Sequence, residues 1–494
     1  MRRCAGLAGF VLAVGSTTMA SAQPGSPACA RLTAIEQPNL EIIAATRVGA
    51  GEVKAGTASI QVPAACRVTG VSRPTADSEI TFELWLPDNW TGRYAQLGNG
   101  GFARNIDHPS LAAEIRRGNA AAMTDTGHKA GQFDASWARG HPEKVVDYGH
   151  RSIKTTADAA RLLIAAHYGR NARYRYFIGC SNGGRQALMA AQRYPEDWDG
   201  VLAGSPAVYW TRQLKGFAEI QGRLRSDPRN WIPAQKLPAI QRAGVVGCAT
   251  AATSPWRCRL DSRRLLCRGI DTNECLTRPQ AAMLALIQGG AKGFGFAATA
   301  AALRENWDQW ILNPDRSAPG QYALATQAER YLIPSMNRRD LEATLDAGDP
   351  DLRKFKARGG KLLIYLGWSD ALISPDAGRT YYESLTSRMG GTSSTKSFAR
   401  MFIAPGMQHC QGGVAPNSFG QAWVAPALSA DPRNDIRLAL QAWVEEGRAP
   451  RSLIAAKFAG DGRTVTATQQ LRLYPRPAGP VLMKPANPAR PHAN

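Results

Sequence analysis

The sequence has 494 residues and a formal net charge of +21 at pH 7. This length allows up to about three domains, and one α/β domain with an insertion fits equally well. The basic residues are scattered without a run of five or six, so the charge does not indicate a nucleic-acid-binding protein. It favours a solvated basic surface, or one that attracts acidic or carboxylate-bearing substrates.

The first 22 residues have the features of a secretory signal peptide. Arg2 and Arg3 form a basic region, and an apolar core over Ala5–Val14 follows. The sequence Ala20-Ser21-Ala22 matches a cleavage site. The apolar core is too short to span a bilayer. We therefore expect a soluble protein exported to the periplasm or the medium, with no membrane partner.

Cleavage at that site would leave eight cysteines. An even number in an exported chain predicts four disulfides formed in an oxidising compartment. The spacing lacks a C-x-x-C pair or a nearby Cys/His cluster, which disfavours a metal site. The cysteines are Cys29, Cys66, Cys180, Cys248, Cys258, Cys267, Cys275 and Cys410.

Strands and helices alternate along the first half of the chain. Alternating apolar residues over Ile80–Pro87 predict a half-buried antiparallel strand. The segment Thr155–Tyr168 is amphipathic with Gly169 as its C-cap, which predicts a helix. This alternation predicts an α/β fold with a mostly parallel sheet covered on both faces. Further strands are predicted at Ala58–Val62, Arg93–Leu97, Ala120–Asp125, Tyr174–Ile178 and Val201–Pro206.

The segment Gly179-Cys180-Ser181-Asn182-Gly183 lies between a predicted strand and a predicted helix starting at Arg185. A G-x-S-x-G sequence in this context is typical of a nucleophile elbow, whose small residues permit a tight turn and expose the serine. The alternative is an ordinary turn with a serine N-cap. We predict that Ser181 is a catalytic nucleophile.

A serine hydrolase needs two backbone N–H donors for its oxyanion. One normally follows the nucleophile, here Asn182, and the other comes from a glycine-rich loop after an early strand. Gly100 and Gly101 follow the predicted strand that ends at Leu97. They are the candidates for the second donor, although an ordinary β-turn would have the same composition.

The composition changes after Tyr209, where clear strands are absent until Lys361. We predict a mostly helical insertion over residues 211–351. Four cysteines permit three pairings, of which local closure as Cys248–Cys258 and Cys267–Cys275 is the simplest. The insertion divides a catalytic domain into residues 23–210 and 352–475, and a Pro- and Ala-rich tail over 476–494 is predicted to be disordered.

A serine nucleophile requires a histidine base oriented by a carboxylate, in the chain order Ser, Asp or Glu, His on this type of sheet. Only His409 and His492 follow Ser181, and His492 lies in the tail. Asp370 follows a predicted strand over Lys361–Gly367, and His409 follows another over Ala399–Ala404; such sites assemble after parallel strands. Asp376 competes with Asp370 but resembles an N-terminal helix residue. The earlier histidines are interpreted as structural or solvated: His108, His128, His141, His150 and His167.

Two cysteines adjoin the predicted catalytic residues, Cys180 before Ser181 and Cys410 after His409. If the serine and histidine are within hydrogen-bond reach, these cysteines are close enough to bridge. A Cys180–Cys410 disulfide would hold the base against the nucleophile turn. The remaining pair, Cys29–Cys66, would fasten the N-terminal region.

Together, the Gly179–Arg185 motif, Gly367-Trp368-Ser369-Asp370 and Pro405–Cys410 resemble the tannase and feruloyl esterase family, which includes mono(2-hydroxyethyl) terephthalate hydrolase. The resemblance runs from about Cys29 to Pro450. It implies an α/β-hydrolase fold with a lid inserted after the nucleophile half. It also implies the triad Ser181, Asp370 and His409 and a disulfide beside it. Other matching stretches are Gly98–Phe102, Thr124–His128, Asp199–Val201, Gly359–Lys361 and Trp443–Glu445.

One departure from the family concerns calcium. Family lids often carry an aspartate-rich calcium loop between the first pair of lid cysteines. Here residues 249–257 contain no carboxylate, whereas calcium prefers six to eight oxygen ligands. We therefore predict no metal and no cofactor.

The resemblance implies that the substrate is a small aromatic ester: a feruloyl ester first, with terephthaloyl monoesters and galloyl esters as alternatives. Lid aromatics should wall the acyl pocket, and the candidates are Trp307, Trp310 and Tyr331, with core packing as the alternative role. A secreted serine peptidase or a non-catalytic binding protein would be compatible with the same fold. The sequence does not indicate an oligomeric state.

Overall fold

The computed structural model describes residues 27–55, 58–103, 106–249, 259–290, 294–300, 306–318, 320–422 and 425–475. The predicted signal peptide and C-terminal tail lie outside these ranges. None of the helices in the described ranges combines the length and the apolar character needed to cross a membrane.

Thirteen strands occur in the described part of the chain, and nine of them form one sheet in the order β1-β4-β5-β7-β6-β8-β9-β10-β11. The pairs β2–β3 and β12–β13 form separate hairpins. The strands are β1 Leu40–Val48, β2 Gly51–Ala55, β3 Ala58–Val62, β4 Ala65–Ser72, β5 Ile80–Pro87, β6 Arg93–Leu97, β7 Ala120–Thr124, β8 Tyr174–Cys180, β9 Gly200–Gly204, β10 Lys361–Gly367, β11 Ala399–Ala404, β12 Ser452–Phe458 and β13 Val465–Arg472.

The sheet is mixed. Strands β7, β6, β8, β9, β10 and β11 run parallel to one another. The pairs β1–β4, β4–β5 and β5–β7 are antiparallel. The short connection from β4 to β5 explains one of these antiparallel pairs, because a parallel crossover needs about a dozen or more residues. The prediction of a mostly parallel sheet therefore describes the half of the sheet from β7 to β11.

Helices cover both faces of the sheet. Alternate residues of a strand point to opposite faces, so Phe177 packs with the buried residues of α4, α5 and α13, whereas Ile178 packs with those of α2 and α15. The helices of the described chain are α1 Pro27–Ala30, α2 His108–Arg116, α3 Pro142–Val146, α4 Ser152–Tyr168, α5 Asn182–Arg193, α6 Trp210–Ser226, α7 Leu237–Ala249, α8 Arg278–Gly289, α9 Trp307–Trp310, α10 Gln321–Gln327, α11 Arg338–Leu345, α12 Arg353–Ala357, α13 Pro375–Arg388, α14 Thr392–Lys396 and α15 Ile436–Glu446.

The segment between β9 and β10 contains helices α6 to α12 and, within its described residues, no strand. Its two ends lie side by side. The N–H of Ala347 donates to the carbonyl of Val208 at 2.8 Å, and the Asp346 carboxylate accepts from the N–H and the hydroxyl of Thr211, both at 2.9 Å. The segment therefore leaves and re-enters the sheet at one place, and its helices form a second hydrophobic cluster.

Three disulfides join described cysteines: Cys29–Cys66, Cys180–Cys410 and Cys267–Cys275. The expected Cys248–Cys258 pair lies outside the described residues, because Cys258 is not among them. The first disulfide links α1 to β4, and the third closes a short loop before α8.

Candidate active site

The turn between β8 and α5 places Ser181 at a sharp bend. Its backbone has φ 65° and ψ −126°, a left-handed conformation that is uncommon for a residue with a side chain. A Cβ on Gly179 would lie 2.3 Å from the carbonyl oxygen of Gly183, so only glycine fits there. This geometry is that of a strained strand-to-helix turn, which presents its central side chain above the sheet.

The backbone of Ser181 is held on both sides. Its N–H donates to the carbonyl of Gly204 in β9 at 3.0 Å, and its own carbonyl accepts from the N–H of Arg185 at 3.0 Å. Ser181 stands immediately before α5, where the positive end of the helix dipole favours negative charge. An oxyanion formed at this turn would therefore lie in a favourable field.

Asp370 and His409 form a hydrogen-bonded pair. The imidazole Nδ1 lies 2.7 Å from Asp370 Oδ2. The other carboxylate oxygen, Oδ1, accepts from the N–H groups of Leu372 and Ile373, both at 2.9 Å. The Asp370 side chain is 1% exposed and the imidazole 14% exposed. A carboxylate on Nδ1 leaves Nε2 as the proton acceptor of the ring.

The Cys180–Cys410 disulfide links the two halves of this site. Its Cα atoms are 6.0 Å apart although the cysteines are separated by 230 positions. Ser181 and His409 are the residues next to these cysteines. The disulfide therefore keeps the turn after β8 beside the loop after β11. That loop carries His409, the partner of Asp370.

Asp376, the competing carboxylate, has a different role. It lies in the first turn of α13 and forms ion pairs with Arg259 and Arg379. A buried carboxylate with two guanidinium partners is a structural ion-pair centre. It makes no hydrogen bond to a histidine in the described part of the chain.

Residues 98–102, which we call the glycine loop, follow β6 and contact the first turn of α5. A Cβ on Gly98 would lie 2.5 Å from the Cα of Gly183, so the loop and α5 are in backbone contact. The N–H groups of Gly100, Gly101 and Asn182 make no hydrogen bond to a described partner. These are the three N–H groups that the sequence predicts as candidate oxyanion donors.

The three candidate pocket aromatics differ in exposure. Trp307 is 0% exposed and packs within the second hydrophobic cluster. Trp310 and Tyr331 are partly exposed at the edge of that cluster. The Tyr331 ring lies 4.8 Å from the guanidinium carbon of Arg139 and 5.2 Å from that of Arg330.

Sequence reasoning missed two buried residues behind the glycine loop. The hydroxyl of Tyr148 donates to the carbonyl of Gly101 at 3.1 Å, and His128 Nε2 lies 2.7 Å from the carbonyl of Phe102. Burial lowers the pKa of His128 to about 4, so its ring is neutral and donates through Nε2. The position of His128 after strand β7 was a usable signal, whereas the short π-helix that carries Tyr148 has no recognisable sequence pattern.

A metal site gains no support from the described residues. Within the described ranges, the one cluster of possible ligands consists of Cys267, Asp271 and Cys275, and both sulfurs belong to a disulfide. The Asp271 carboxylate pairs with Lys236. Residues 249–257, where the sequence predicts no calcium site, fall almost entirely outside the described residues.

Comparison with known proteins identifies the chain. The family model for tannase and feruloyl esterase matches residues 66–312 and 324–479. The chain belongs to the tannase and feruloyl esterase family. This family assignment agrees with the resemblance inferred from the motifs around Ser181, Asp370 and His409.

Individual members of the tannase and feruloyl esterase family align over most of their length. An uncharacterised esterase of Xanthomonas campestris pv. campestris is 38% identical, over 92% of this chain and 88% of the relative. A probable feruloyl esterase B-2 of Aspergillus oryzae is 30% identical, over 94% of each chain. The crystal structure of feruloyl esterase B from Aspergillus oryzae superposes with a TM-score of 0.81 at 25% identity, over 91% of this chain and 95% of that one.

Proposed function

We propose that the protein is an exported serine carboxylesterase that hydrolyses esters of aromatic acids. The observation that carries the proposal is the Asp370–His409 hydrogen bond. The Cys180–Cys410 disulfide supports it, because the bonded cysteines are the chain neighbours of Ser181 and His409. Membership of a family whose named members are feruloyl esterases supports an ester as the substrate.

The chemistry proceeds by acyl transfer to Ser181. His409 Nε2 accepts the serine proton as Oγ attacks the ester carbonyl, and Asp370 stabilises the imidazolium that forms. The imidazolium then protonates the departing alcohol. Water, activated by the same imidazole, attacks the acyl-enzyme and releases the acid.

The negative charge that develops on the carbonyl oxygen requires hydrogen-bond donors. The N–H of Asn182 follows the nucleophile at the start of α5, and the N–H groups of Gly100 and Gly101 face no described acceptor. Free N–H groups held in a rigid loop are suited to this charge because they need no reorganisation in the transition state.

The architecture suits an α/β-hydrolase fold with a lid. The helical segment over residues 211–351 enters and leaves the sheet at one place, and its hydrophobic cluster includes Phe102 of the glycine loop and Leu372 after Asp370. Trp310 and Tyr331 are the partly exposed aromatics of that segment that we propose to contact the acyl group. A feruloyl ester is the substrate we favour; terephthaloyl monoesters and galloyl esters are the next candidates.

A test compares the wild type with Ser181→Ala and Ser205→Ala. Ser205 is a matched control, because it is a buried serine with a positive φ of 32° at the end of the neighbouring strand β9. Hydrolysis of methyl ferulate, methyl gallate and mono(2-hydroxyethyl) terephthalate is measured for each protein. We expect Ser181→Ala to lose at least about 10⁴-fold in kcat and Ser205→Ala to retain activity.

Two results would contradict the proposal. Faster hydrolysis of a ferulic acid anilide than of methyl ferulate would indicate a peptidase. Failure of a fluorophosphonate to label Ser181 in folded protein, together with no hydrolysis of any ester of the panel, would indicate a binding protein.

A further inference from the structure

The glycine loop is fastened at its start to the strand and the helix that flank the nucleophile. The N–H of Gly98 donates to the carbonyl of Ile178 in β8 at 2.9 Å, and the N–H of Asn99 donates to the side-chain carbonyl of Gln186 in α5 at 2.8 Å. The backbone contact between Gly98 and Gly183 adds to these bonds. The first residues of the loop are therefore rigidly attached to α5.

The end of the loop is held by three further groups. The carbonyl of Gly101 accepts from the hydroxyl of Tyr148 at 3.1 Å, and the N–H of Phe102 donates to the carbonyl of Gln132 at 2.8 Å. The carbonyl of Gly101 and the N–H of Phe102 belong to one planar peptide unit. The two hydrogen bonds, one on each side of this unit, therefore fix the orientation of its plane. The next carbonyl, that of Phe102, accepts from His128 at 2.7 Å.

Between these two fastened ends lie the N–H groups of Gly100 and Gly101, which have no described acceptor. Their direction depends on the peptide planes on either side. A Cβ on Gly101 would lie 2.1 Å from the carbonyl oxygen of Gln132, so the loop packs closely against the segment that holds it. The structure thus fixes the flanking groups and leaves these two donors available.

Tyr148 is itself anchored to the nucleophile helix. It is 0% exposed, and the guanidinium carbon of Arg185 lies 4.8 Å from its ring centroid. Arg185 donates to the backbone carbonyl of Tyr148 at 3.0 Å and to the side-chain carbonyl of Asn182 at 2.7 Å. One buried cation therefore contacts both the residue after Ser181 and the tyrosine that holds the glycine loop.

The polar groups behind the loop remain in their donating forms at neutral pH. Burial raises the pKa of Tyr148 to about 12, so its hydroxyl keeps its proton. The His128 ring stacks on Trp137 with centroids 3.8 Å apart, and Trp137 lies 5.3 Å from the Tyr148 ring. These three rings form a continuous support beneath the loop.

We propose that Tyr148 is a positioning residue for the ester hydrolysis: its hydroxyl holds the carbonyl of Gly101 and so directs the N–H groups of the glycine loop toward the oxyanion. The inference rests on the proposed function. Removing a direct oxyanion donor costs about 10²–10³ in kcat, so loss of a group that only orients such donors should cost less, about tenfold. Substrate binding in the ground state does not use these donors fully, so KM should change little.

The experiment compares Tyr148→Phe with Tyr382→Phe. Tyr382 is a matched control because its ring is 1% exposed and its hydroxyl donates to the backbone carbonyl of Ala399, also at 3.1 Å. Both kcat and KM for methyl ferulate are measured per active site, counted by titration with a fluorophosphonate. We expect Tyr148→Phe to lower kcat about tenfold with KM within about twofold, and Tyr382→Phe to keep both values.

An unchanged kcat in Tyr148→Phe overturns the inference, as does an equal loss in both variants or a change confined to KM. If Tyr148→Phe gives no titratable protein, 3,5-difluorotyrosine at position 148 replaces it, because its more acidic hydroxyl loses the donating proton at a lower pH than that of tyrosine. A dependence of kcat on pH identical to that of the wild type then overturns the inference. The wild type is measured first: if it hydrolyses no aromatic ester, the proposed function fails, which is distinct from a failure of the Tyr148 variant alone.

Discussion

At the residue scale, Asp370 uses its two carboxylate oxygens for different partners. Oδ1 accepts from the N–H groups of Leu372 and Ile373, and Oδ2 faces His409 Nδ1. The two backbone donors fix the plane of the carboxylate, and that plane fixes the imidazole. The arrangement therefore orients the ring through a side chain whose own rotamer is locked.

Asp370→Asn tests this orientation. The amide oxygen should keep the two N–H donors, which leaves the amide nitrogen facing His409. Nδ1 must then accept, Nε2 carries the proton, and the ring no longer serves as base. We expect kcat for methyl ferulate to fall by about 10³–10⁴.

The matched control is Asp376→Asn, because Asp376 is a carboxylate of the following helix that pairs with arginines rather than with a histidine. Its activity should stay within a few-fold of the wild type. Steady-state kinetics of both variants test this expectation. A comparable loss of kcat in the two variants would argue against Asp370 as the group that orients His409.

At the scale of elements, a covalent link connects the turn after β8 to the loop after β11. The Cys180–Cys410 disulfide spans 230 positions, whereas Cys267–Cys275 spans only 8. A disulfide that closes a long loop removes more entropy from the unfolded chain than one that closes a short loop. It also limits the displacement of His409 relative to Ser181.

The double variant Cys180→Ala/Cys410→Ala should therefore be affected in two ways. We expect a loss of about 2–4 kcal/mol in the free energy of unfolding and a fall of about 10–100-fold in kcat, because small displacements of catalytic groups are costly. Cys267→Ala/Cys275→Ala, measured by the same denaturant titrations and kinetics, should lose less stability and keep kcat. Equal kcat values for the two double variants would contradict a positioning role for the first disulfide.

At the scale of the whole molecule, buried ionisable groups make stability depend on pH in opposing directions. Burial raises the pKa of Asp125, Asp147 and Asp346 to about 6, so these groups favour the folded state when protonated. Burial lowers the pKa of His128 to about 4 and that of His150 to about 3. The carboxylates destabilise the fold as the pH rises from about 4 to 6, and the histidines destabilise it as the pH falls below about 6.5.

Asp125→Asn isolates one of these contributions. Asp125 is 5% exposed, and its Oδ1 accepts from the N–H groups of Thr81 and Gly127, which an asparagine oxygen can also do. The folded pKa lies above the unfolded value, so the wild type loses up to about 3 kcal/mol as the pH rises through this range. We expect the variant to be more stable than the wild type at about pH 8 and equal to it near pH 4. Thermal melts of both proteins at the two pH values check this. A difference in stability between variant and wild type that is the same at both pH values would contradict a raised pKa for Asp125.

The sequence predicted those helices and strands whose residues have a strong local pattern. The strand–turn–helix around Ser181 and the helix that ends at Gly169 have strong periodicity and glycine signals, and both form as expected. Strand β1 and the β12–β13 hairpin were not predicted, because their residues alternate weakly and their pairing partners are set by the sheet rather than by the segment itself.

The sequence alone determined the family and predicted the residues of the proposed site. Ser181, Asp370 and His409 each follow a strand, and the carboxyl ends of parallel strands meet at one edge of a sheet. The tertiary structure alone decided which residues lie behind the glycine loop. Tyr148 and His128 bond to carbonyl groups of the loop, and Arg185 bonds to Tyr148. These contacts join segments distant in the chain, and a contact of that kind has no local sequence pattern.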